Sequence, residues 1–492
     1  MPPVQRLRTG IDALDDVLRG GLIPERLYLV DGNPGSGKTT LALQFLLEGV
    51  QHAETCLYVT LSETRDELAA GAQSHGWSLD GVEVVELIPD QQHELIGEGT
   101  VTMIHPSDVE LSDTMSKILA AIERANPTRI VFDSLSEMRL LAQSSLRYRR
   151  QILALKQFFA GRSCTVLMLD DRTAEGPDLQ LHSIAHGVIA LYMLTPVYGH
   201  ARRQLQVLKF RGSDFASGFH DFAIREGGIK VFPRLVAADH TAKFDESLIE
   251  SGVAAFDALL GGGIERGTST LLVGPPGSGK STLALQYACA AAARGDHSAS
   301  FVFDETKAAL FARSKGLGLN IREGDGPGEI SLRQIDPVEV SPGEFAAMVR
   351  GAVEADGARV VIIDSLNGYL NAMPQDNYLI AQLHELLSYL SNQGVTTFLV
   401  VAQSGMLGSA MTSPVDASYL ADSIVLLRYF EHQGQVKKAL SVMKKRTGGH
   451  EGSIREVWFD QHGIHLSEPL LGLRGVLTGV PIELKGEIRP AS

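Results

Sequence analysis

Residues 9–45, TGIDALDDVLRGGLIPERLYLVDGNPGSGKTTLALQF, decide the fold of this chain because the same pattern returns in its middle. The second version, SGVAAFDALLGGGIERGTSTLLVGPPGSGKSTLALQY, occupies residues 251–287. Lys38 and Lys280 hold the same place in the two stretches and are 280 − 38 = 242 residues apart. Similarity over this length at a fixed spacing indicates that a whole domain is duplicated.

Each copy alternates strand-type and helix-type runs. In the first copy the apolar run YLVDG precedes the glycine-rich loop, and the helix-type run ALQFLLEGV follows it. LYVTLSE, MSKILAAIERA and RIVFD then repeat the order strand, helix, strand. This alternation is typical of a mostly parallel sheet flanked by helices. The sequence therefore predicts an α/β fold made of two tandem domains of this kind.

The spacing between equivalent residues indicates where the copies differ and where they end. It shortens to 364 − 133 = 231 at Asp133 and Asp364, as insertions and deletions in loops would produce. Residues 231–250 have little periodic apolar pattern and suit a connector. We predict a first domain at residues 1–236, a second at 237–465, and a C-terminal loop with a short tail at 466–492.

Composition narrows the class of protein. A chain of 492 residues with 44% hydrophobic content is long enough for more than one core, and a net charge of −14 argues against a protein that coats nucleic acid. Its three cysteines are odd in number and far apart, which favours neither disulfides nor a cysteine zinc site. The apolar runs are of strand length, so we expect no signal peptide, no membrane span and a cytoplasmic location.

Two glycine-rich loops carry the strongest functional signal. Residues 32–39 (GNPGSGKT) and 274–281 (GPPGSGKS) both match G-x-x-x-x-G-K-[ST] between a strand and a helix. In such P-loops backbone N–H groups approach the phosphates, the lysine reaches the β and γ oxygens, and the hydroxyl side chain contacts Mg²⁺. The sequence thus predicts that both copies bind ATP and Mg²⁺. The predicted nucleotide contacts are Gly35, Ser36, Gly37, Lys38, Thr39 and Thr40 in the first copy and Gly277, Ser278, Gly279, Lys280, Ser281 and Thr282 in the second, with Thr39 and Ser281 at the metal.

Carboxylates follow two strands in each copy. Asp133 and Asp364 end the strands RIVFD and VVIID, where a Walker B aspartate would lie beside the metal. Glu63, Asp304 and Glu305 follow the strand after the P-loop helix and are candidate bases for phosphoryl transfer. A carboxylate at a strand end can also cap the next helix, and that alternative stays open.

Taken together, these residues resemble the KaiC family, a doubled RecA-like ATPase, over nearly the whole chain. The resemblance includes a basic K-x-R motif late in each copy, with Lys209 and Arg211 in KFRG and Lys444 and Arg446 in KKRT. It implies that these four side chains reach the nucleotide of a neighbouring subunit, while a solvated basic strand is the alternative. The expected fold is two tandem RecA-like P-loop NTPase domains.

The resemblance also implies an activity and an assembly. KaiC proteins form stacked hexameric rings with ATP between subunits. Their first lobe is a slow ATPase, and their second lobe phosphorylates and dephosphorylates its own side chains. By this resemblance we expect an ATPase and serine/threonine autokinase that assembles as a homohexamer and acts as a clock, timer or signalling hub.

The catalytic carboxylates depart from the family pattern in both copies. Asp304 stands where the family has the catalytic glutamate of the second lobe, assisted by Glu305, and by the same resemblance it would contact the metal. Ser62 fills the matching position of the first copy. A serine hydroxyl is no carboxylate base, so Glu63 remains the candidate for hydrolysis there.

The acceptor site departs as well. The family's adjacent serine and threonine correspond to Ser418 and Tyr419 in DASYLADSIVLLRY. A tyrosine hydroxyl projects farther from the backbone than a threonine hydroxyl, so one geometry is not expected to serve both. We expect phosphate on Ser418, with Tyr419 as the alternative and a serine that only packs near the interface as the competing interpretation.

The end of the chain bears on partners. GLRGVLTGVP resembles the family's C-terminal loop, but only IELKGEIRPAS follows it, which is shorter than the tail that recruits KaiA. The sequence thus argues against dependence on KaiA, whereas a KaiB-like partner that docks on the first ring would not need the tail.

Two other functions compete with this interpretation. Fold analogy alone would allow a RecA- or RadA-like DNA-dependent ATPase, which the acidic charge balance disfavours. A nucleotide-gated assembly scaffold with weak catalysis would explain why Ser62, Asp304 and Tyr419 depart from the pattern. Stimulation of ATP turnover by single-stranded DNA would favour the first, and assembly without turnover the second.

Overall fold

The structure is a computed structural model that describes residues 6–87, 106–172, 179–196, 199–371, 378–403 and 419–484. It divides into two compact units, Met1–Arg234 and Leu235–Ser492, each built around one large sheet. Among the described residues every helix is too short or too polar to cross a lipid bilayer.

The first unit contains nine described strands and seven described helices. Its strands are β1 (Leu27–Gly32), β2 (Cys56–Thr60), β3 (Val82–Glu86), β4 (Arg129–Asp133), β5 (Thr165–Asp171), β6 (Gly187–Leu194), β7 (Arg202–Phe210), β8 (Phe219–Arg225) and β9 (Gly228–Phe232). Its helices are α1 (Asp12–Val17), α2 (Lys38–Gln51), α3 (Arg65–Ser74), α4 (Pro106–Ala125), α5 (Leu135–Ala142), α6 (Ser145–Phe159) and α7 (Leu179–Ile184).

The sheet of the first unit has the strand order β3-β2-β4-β5-β1-β6-β7-β8-β9. Strands β1 to β6 pair in parallel, and β7, β8 and β9 extend the sheet by antiparallel pairing. The carboxyl ends of the parallel strands share one edge of the sheet, which is where ligands bind in open α/β folds. The P-loop and the predicted carboxylates follow these ends. The α/β fold with a mostly parallel sheet is confirmed.

Strand β1 shows how the sequence pattern builds two cores. Tyr28 and Val30 face one core, which also contains Phe45 of α2, whereas Leu27 and Leu29 face a second core shared with α6. Successive strand side chains point to opposite faces, so a run that is apolar at every position is buried on both sides. Helices on both faces of the sheet are the consequence.

The second unit repeats this arrangement. Its strands are β10 (Leu248–Ile249), β11 (Ile264–Glu265), β12 (Ser269–Gly274), β13 (His297–Val302), β14 (Ile330–Gln334), β15 (Ala358–Asp364), β16 (Thr396–Ala402), β17 (Ser423–His432), β18 (Gln435–Lys445), β19 (Arg455–Asp460), β20 (Gly463–Pro469), β21 (Leu473–Arg474) and β22 (Ile482–Glu483). Its helices are α8 (Ala254–Leu259), α9 (Lys280–Ala293), α10 (Lys307–Gly316), α11 (Pro342–Glu354), α12 (Leu366–Asn371) and α13 (Leu379–Asn392).

The large sheet of the second unit has the order β14-β13-β15-β16-β12-β17-β18-β19-β20, which matches the first unit strand for strand. Again the six neighbouring strands at one side of the sheet pair in parallel, namely β14, β13, β15, β16, β12 and β17. Strands β18, β19 and β20 extend the sheet by antiparallel pairing. Beyond β20, Val476 packs against Phe430 and Ala439 in a small separate cluster. The duplication seen in the sequence is therefore a duplication of the whole topology.

One buried charge ties the first unit together. Arg129, the first residue of β4, is 1% exposed and pairs with Glu54, with Nε 2.7 Å from Oε2. Its Nη1 donates to the backbone oxygens of Phe45 at 2.8 Å and Arg8 at 2.7 Å. The guanidinium thus joins β4 to α2 and to the N-terminal segment.

Replacing Arg129 with alanine should lower the free energy of unfolding of the first unit by about 3–5 kcal/mol, because Glu54 and two carbonyls lose their buried partner. Arg124→Ala, which breaks an exposed pair with Glu83, is the matched control and should cost less than about 1 kcal/mol. Urea unfolding of the full chain, with hydrogen exchange assigning the transition, measures both. Equal losses in the two variants would contradict this role for Arg129.

Candidate functional site

The first P-loop is shaped by its glycines and closed by its lysine. Gly37 has φ 106° immediately before α2, and a Cβ there would lie 2.7 Å from Ile224 Cδ1. Only glycine accepts this conformation without strain. Lys38 begins α2 and folds back, so that its Nζ donates to the backbone oxygens of Gly32 at 2.9 Å and Asn33 at 3.0 Å. An ammonium group and the amino end of a helix therefore meet where phosphates would bind.

The second P-loop repeats this geometry. Gly279 has φ 109°, and a Cβ there would lie 2.1 Å from Phe459 Cζ. Lys280 begins α9, and its Nζ donates to the backbone oxygen of Pro275 at 2.9 Å. The two loops are alike in backbone, although different side chains pack against them.

Asp133 lies at the end of β4 beside the first P-loop. Its Oδ2 accepts from the hydroxyl of Thr39 at 3.1 Å and from the hydroxyl of Tyr58 at 2.5 Å. Burial raises the pKa of this carboxyl, and the two hydrogen bonds oppose that shift. The sequence predicted that Asp133 and Thr39 lie close together, but it did not indicate the hydrogen bond from Tyr58.

Asp364 takes the same place in the second unit, at the end of β15. Burial raises its pKa, and a hydrogen bond from Ser281 opposes this shift. In both units, hydroxyl and carboxylate oxygens thus come together at the first turn of the P-loop helix. These hard oxygen donors fit Mg²⁺, which prefers such ligands and keeps several waters.

Glu63 sits beyond the end of β2. The Thr60 hydroxyl donates to the backbone oxygen of Glu63 at 2.7 Å and accepts from its N–H at 3.0 Å, so the turn that presents the carboxylate is fixed. Burial and the carboxylates of Asp133 and Glu67 raise the pKa of Glu63. A carboxylate of increased basicity is suited to accept a proton.

A cavity of about 460 Å³ opens beside Glu63. Its wall comes from the first turns of α2, the turn after β2 and one face of α3. The lining residues are Thr39, Thr40, Leu43, Ser62, Glu63, Glu67, Leu68, Gly71, Ser74 and His75. The candidate base and the candidate metal contact Thr39 therefore border the same space.

The matching carboxylates of the second unit have other partners. Asp304 accepts a hydrogen bond from the hydroxyl of Ser365, the residue after Asp364. Glu305 forms an ion pair with Arg313, whose Nη2 is 2.7 Å from Oε2. The structure thus brings Asp304 next to the Walker B position, and it places an arginine on Glu305 that the sequence analysis overlooked.

The two P-loop lysines also differ in their counterions. Lys38 Nζ is 2.6 Å from Asp171 Oδ1 at the end of β5. The residue paired in the same register of the second sheet is Ala402. Burial of Lys280 lowers its pKa to about 8, and the charge of Asp364 opposes this shift. Asp171 was missed from sequence, although it ends the strand TVLMLDD as Asp133 ends RIVFD.

The K-x-R residues of the first unit contact the end of α7. Lys209 Nζ donates to the backbone oxygens of His182, Ser183 and Ala185, and Arg211 Nη2 donates to Ser183 O at 3.1 Å. Arg211 is exposed at the surface of the unit.

The second unit makes the corresponding contacts. Lys444 Nζ donates to Ala421 O at 2.7 Å, and Arg446 Nη1 lies 2.9 Å from Asp422 Oδ1. Arg446 is exposed as well. In neither unit do these described contacts include the unit's own P-loop.

The predicted acceptor site lies partly outside the described residues. Ser418 is not among them, whereas Tyr419 is described and 56% exposed. The next strand, β17, begins with Ser423 paired to Thr270, at the amino end of β12, whereas the P-loop follows the carboxyl end of β12.

Comparison with known proteins gives the family. The family model of the ATPase KaiC matches residues 7–236 and 249–470, so that it covers both copies. The chain belongs to the KaiC family. The KaiC assignment made from sequence is confirmed, and with it the tandem RecA-like fold.

Curated KaiC relatives align along nearly the full chain at low identity. The circadian clock protein KaiC3 of Synechocystis sp. is 25% identical over 489 residues, 97% of this chain and 95% of that protein. The circadian clock oscillator protein KaiC of a Picosynechococcus strain is 26% identical over 98% of this chain and 93% of its own length. That of Synechococcus elongatus is 24% identical over 98% and 92%. At this distance individual side chains have room to differ between KaiC proteins.

The pKa of Lys280 leads to a prediction. ATP binds better to the charged form of Lys280. Above about pH 8 this lysine is mostly uncharged in the free protein, so the second site must take up a proton when ATP binds. Its affinity for ATP should therefore fall by about tenfold between about pH 7 and about pH 9. Nucleotide titration of a Lys38→Ala chain, in which only the second P-loop keeps its lysine, measures this.

The first site supplies the control. A Lys280→Ala chain reports the affinity of the first site alone over the same pH range, and there Lys38 has Asp171 as a carboxylate partner at 2.6 Å. An affinity of the second site that stays constant from about pH 7 to about pH 9 would refute the prediction.

Proposed function

We propose that this KaiC-family protein hydrolyses ATP in its first unit and phosphorylates and dephosphorylates itself in its second, acting as a timer or signalling hub. The main support is that both units carry a P-loop whose first helical turn meets a strand-end carboxylate, in a chain that the KaiC family model matches across both copies. The clock names of the relatives motivate the timer role.

In the first unit, Lys38 and the amino end of α2 would bind the phosphates of ATP. Glu63 would accept a proton from the attacking water. The water oxygen would bond to the γ-phosphorus as the bond between that phosphorus and the β–γ bridging oxygen breaks. The products are ADP and phosphate. The cavity beside Glu63 offers space for that water.

Mg²⁺ would be held by Thr39 with Asp133 nearby, and by Ser281 with Asp364 and Asp304 nearby. When bound, it supplies positive charge that offsets the charge of the phosphates. The protein residues position it through the hydroxyl and carboxylate oxygens described above.

In the second unit the acceptor would be a hydroxyl of the chain itself. Asp304, with Glu305, would take the proton of Ser418, or of Tyr419, as the hydroxyl oxygen bonds to the γ-phosphorus and ADP leaves. The parallel pairing of β17 with β12 sets Ser423 beside Thr270 at the amino end of β12, away from the P-loop at its carboxyl end, so a neighbouring subunit would supply the acceptor hydroxyl to this site.

Assembly would complete both sites. Arg211 and Arg446 are exposed, and in a homohexamer of stacked double rings they would reach the γ-phosphate on a neighbouring subunit, with Lys209 and Lys444 alongside. We further propose a cytoplasmic protein that binds a KaiB-like partner. Its three free cysteines suit a reducing compartment.

Replacing Glu63 with glutamine should lower ATP hydrolysis by roughly 10²-fold or more while ATP binding stays unchanged, because the amide cannot accept the proton. A Lys280→Ala background removes the contribution of the second site. Glu67→Gln is the comparison and should lower turnover far less, since Glu67 lines the same cavity and caps α3 through Thr64 but acts on Glu63 only by raising its pKa. Equal turnover in Glu63→Gln and the parent would remove Glu63 from the mechanism.

Phosphorylation is tested by intact-mass analysis and site mapping after incubation with ATP. We expect one added phosphate, lost in Ser418→Ala and in Lys280→Ala but retained in Tyr419→Phe. A chain that hydrolyses ATP yet never gains phosphate would contradict the autokinase proposal. ATP turnover that rises on addition of single-stranded DNA would favour a DNA-dependent ATPase instead.

A further inference from the structure

Three positions around the candidate bases can be compared directly between the two units, and one of them differs. Thr40, Glu63 and Gly71 in the first unit correspond to Thr282, Glu305 and Arg313 in the second, each pair 242 residues apart. Two of the three pairs are identical. The third replaces a glycine on α3 with an arginine on α10.

In the first unit the glycine leaves the space open. A Cβ at Gly71 would meet nothing within 4 Å, and Gly71, Thr40 and Glu63 all line the 460 Å³ cavity. Burial and the carboxylates of Asp133 and Glu67 raise the pKa of Glu63. The base thus faces an open and negatively charged space.

In the second unit the arginine spans the corresponding gap. Nη2 of Arg313 lies 2.7 Å from Glu305 Oε2, Nε lies 3.3 Å from Oε1, and Nη1 donates to the Thr282 hydroxyl at 3.1 Å. A two-point contact of this kind fixes the plane of the carboxylate. Glu305 is therefore tied to the first turn of α9 and neutralised by the same side chain.

We propose that Arg313 is a positioning residue that suppresses water attack in the second unit and so preserves ATP for transfer to a side chain. This rests on the proposed function of the two units. The guanidinium lies between Glu305 and Thr282, whose counterparts Glu63 and Thr40 border open space in the first unit, and it holds both carboxylate oxygens of Glu305. A hydroxyl carried by the chain brings its own nucleophile and needs no water cavity.

Hydrolysis and transfer to a side chain compete for the same γ-phosphoryl group. Hydrolysis moves the γ-phosphoryl group to water and yields ADP, phosphate and a proton. Transfer moves the same group to a side-chain oxygen and yields ADP, a phosphoester and a proton. The two reactions share ATP and the metal, and differ only in the acceptor, so exclusion of water selects between them.

The experiment measures phosphate release and protein-bound phosphate in full-length Lys38→Ala protein, which isolates the second site. Arg313→Ala should raise phosphate release on the order of tenfold, because it opens the space beside Glu305 and frees the carboxylate. Arg313→Lys should restore low release. The reciprocal change, Gly71→Arg in Lys280→Ala protein, should lower hydrolysis by the first unit, with Gly71→Ala as its control.

The outcomes separate this inference from the proposed function. Phosphate release that Arg313→Ala leaves unchanged or lowers would overturn the role of Arg313 while the ATPase assignment stands. Loss of ATP binding in Gly71→Ala would also overturn it, since the glycine would then be needed for the fold of the site. Absence of turnover in the unmodified protein would contradict the proposed function and this inference together.

Discussion

The hydroxyl of Thr39 donates to the carboxylate of Asp133 across 3.1 Å, joining the first turn of α2 to the end of β4. Ser281 and Asp364 make the same connection in the second unit. This contact depends on two features of the fold: α2 must begin directly after the glycine-rich loop, and β4 must end at the same sheet edge as β1. The proposed site depends on this contact, because it joins the segments that bring the phosphate-binding lysine, the metal donors and the candidate bases to one edge of the sheet.

The two copies keep this frame and differ around it. Lys38 has Asp171 as a partner where the second unit has Ala402, and Glu63 faces an open cavity where Glu305 faces Arg313. Such changes leave the cores untouched, since the cores lie between sheet and helices, whereas the altered side chains lie at the strand ends and on the partly exposed side of α10. A duplicated domain can thus keep its fold while its two sites acquire different electrostatics.

Sequence alone predicted the features that depend on local pattern. The P-loops, the strand-end position of Asp133 and the order of strands and helices follow from glycine spacing and hydrophobic periodicity. The Lys38–Asp171 pair depends instead on β5 lying next to β1, a strand order that periodicity does not encode. The contact of Arg313 with Glu305 depends on which face of α10 turns toward α9, and the bond from Tyr58 to Asp133 on the pairing of β2 with β4. These contacts join segments distant in sequence, so they became visible only in the folded chain.

The central claim is that the two P-loops send the γ-phosphoryl group to different acceptors. A single turnover of ATP labelled at the γ-phosphate, followed in Lys280→Ala and in Lys38→Ala protein, tests it most directly. We predict that the label appears as free phosphate when only the first site is intact, and on the protein before it appears as phosphate when only the second site is intact. The same partition of label in both proteins would contradict the account.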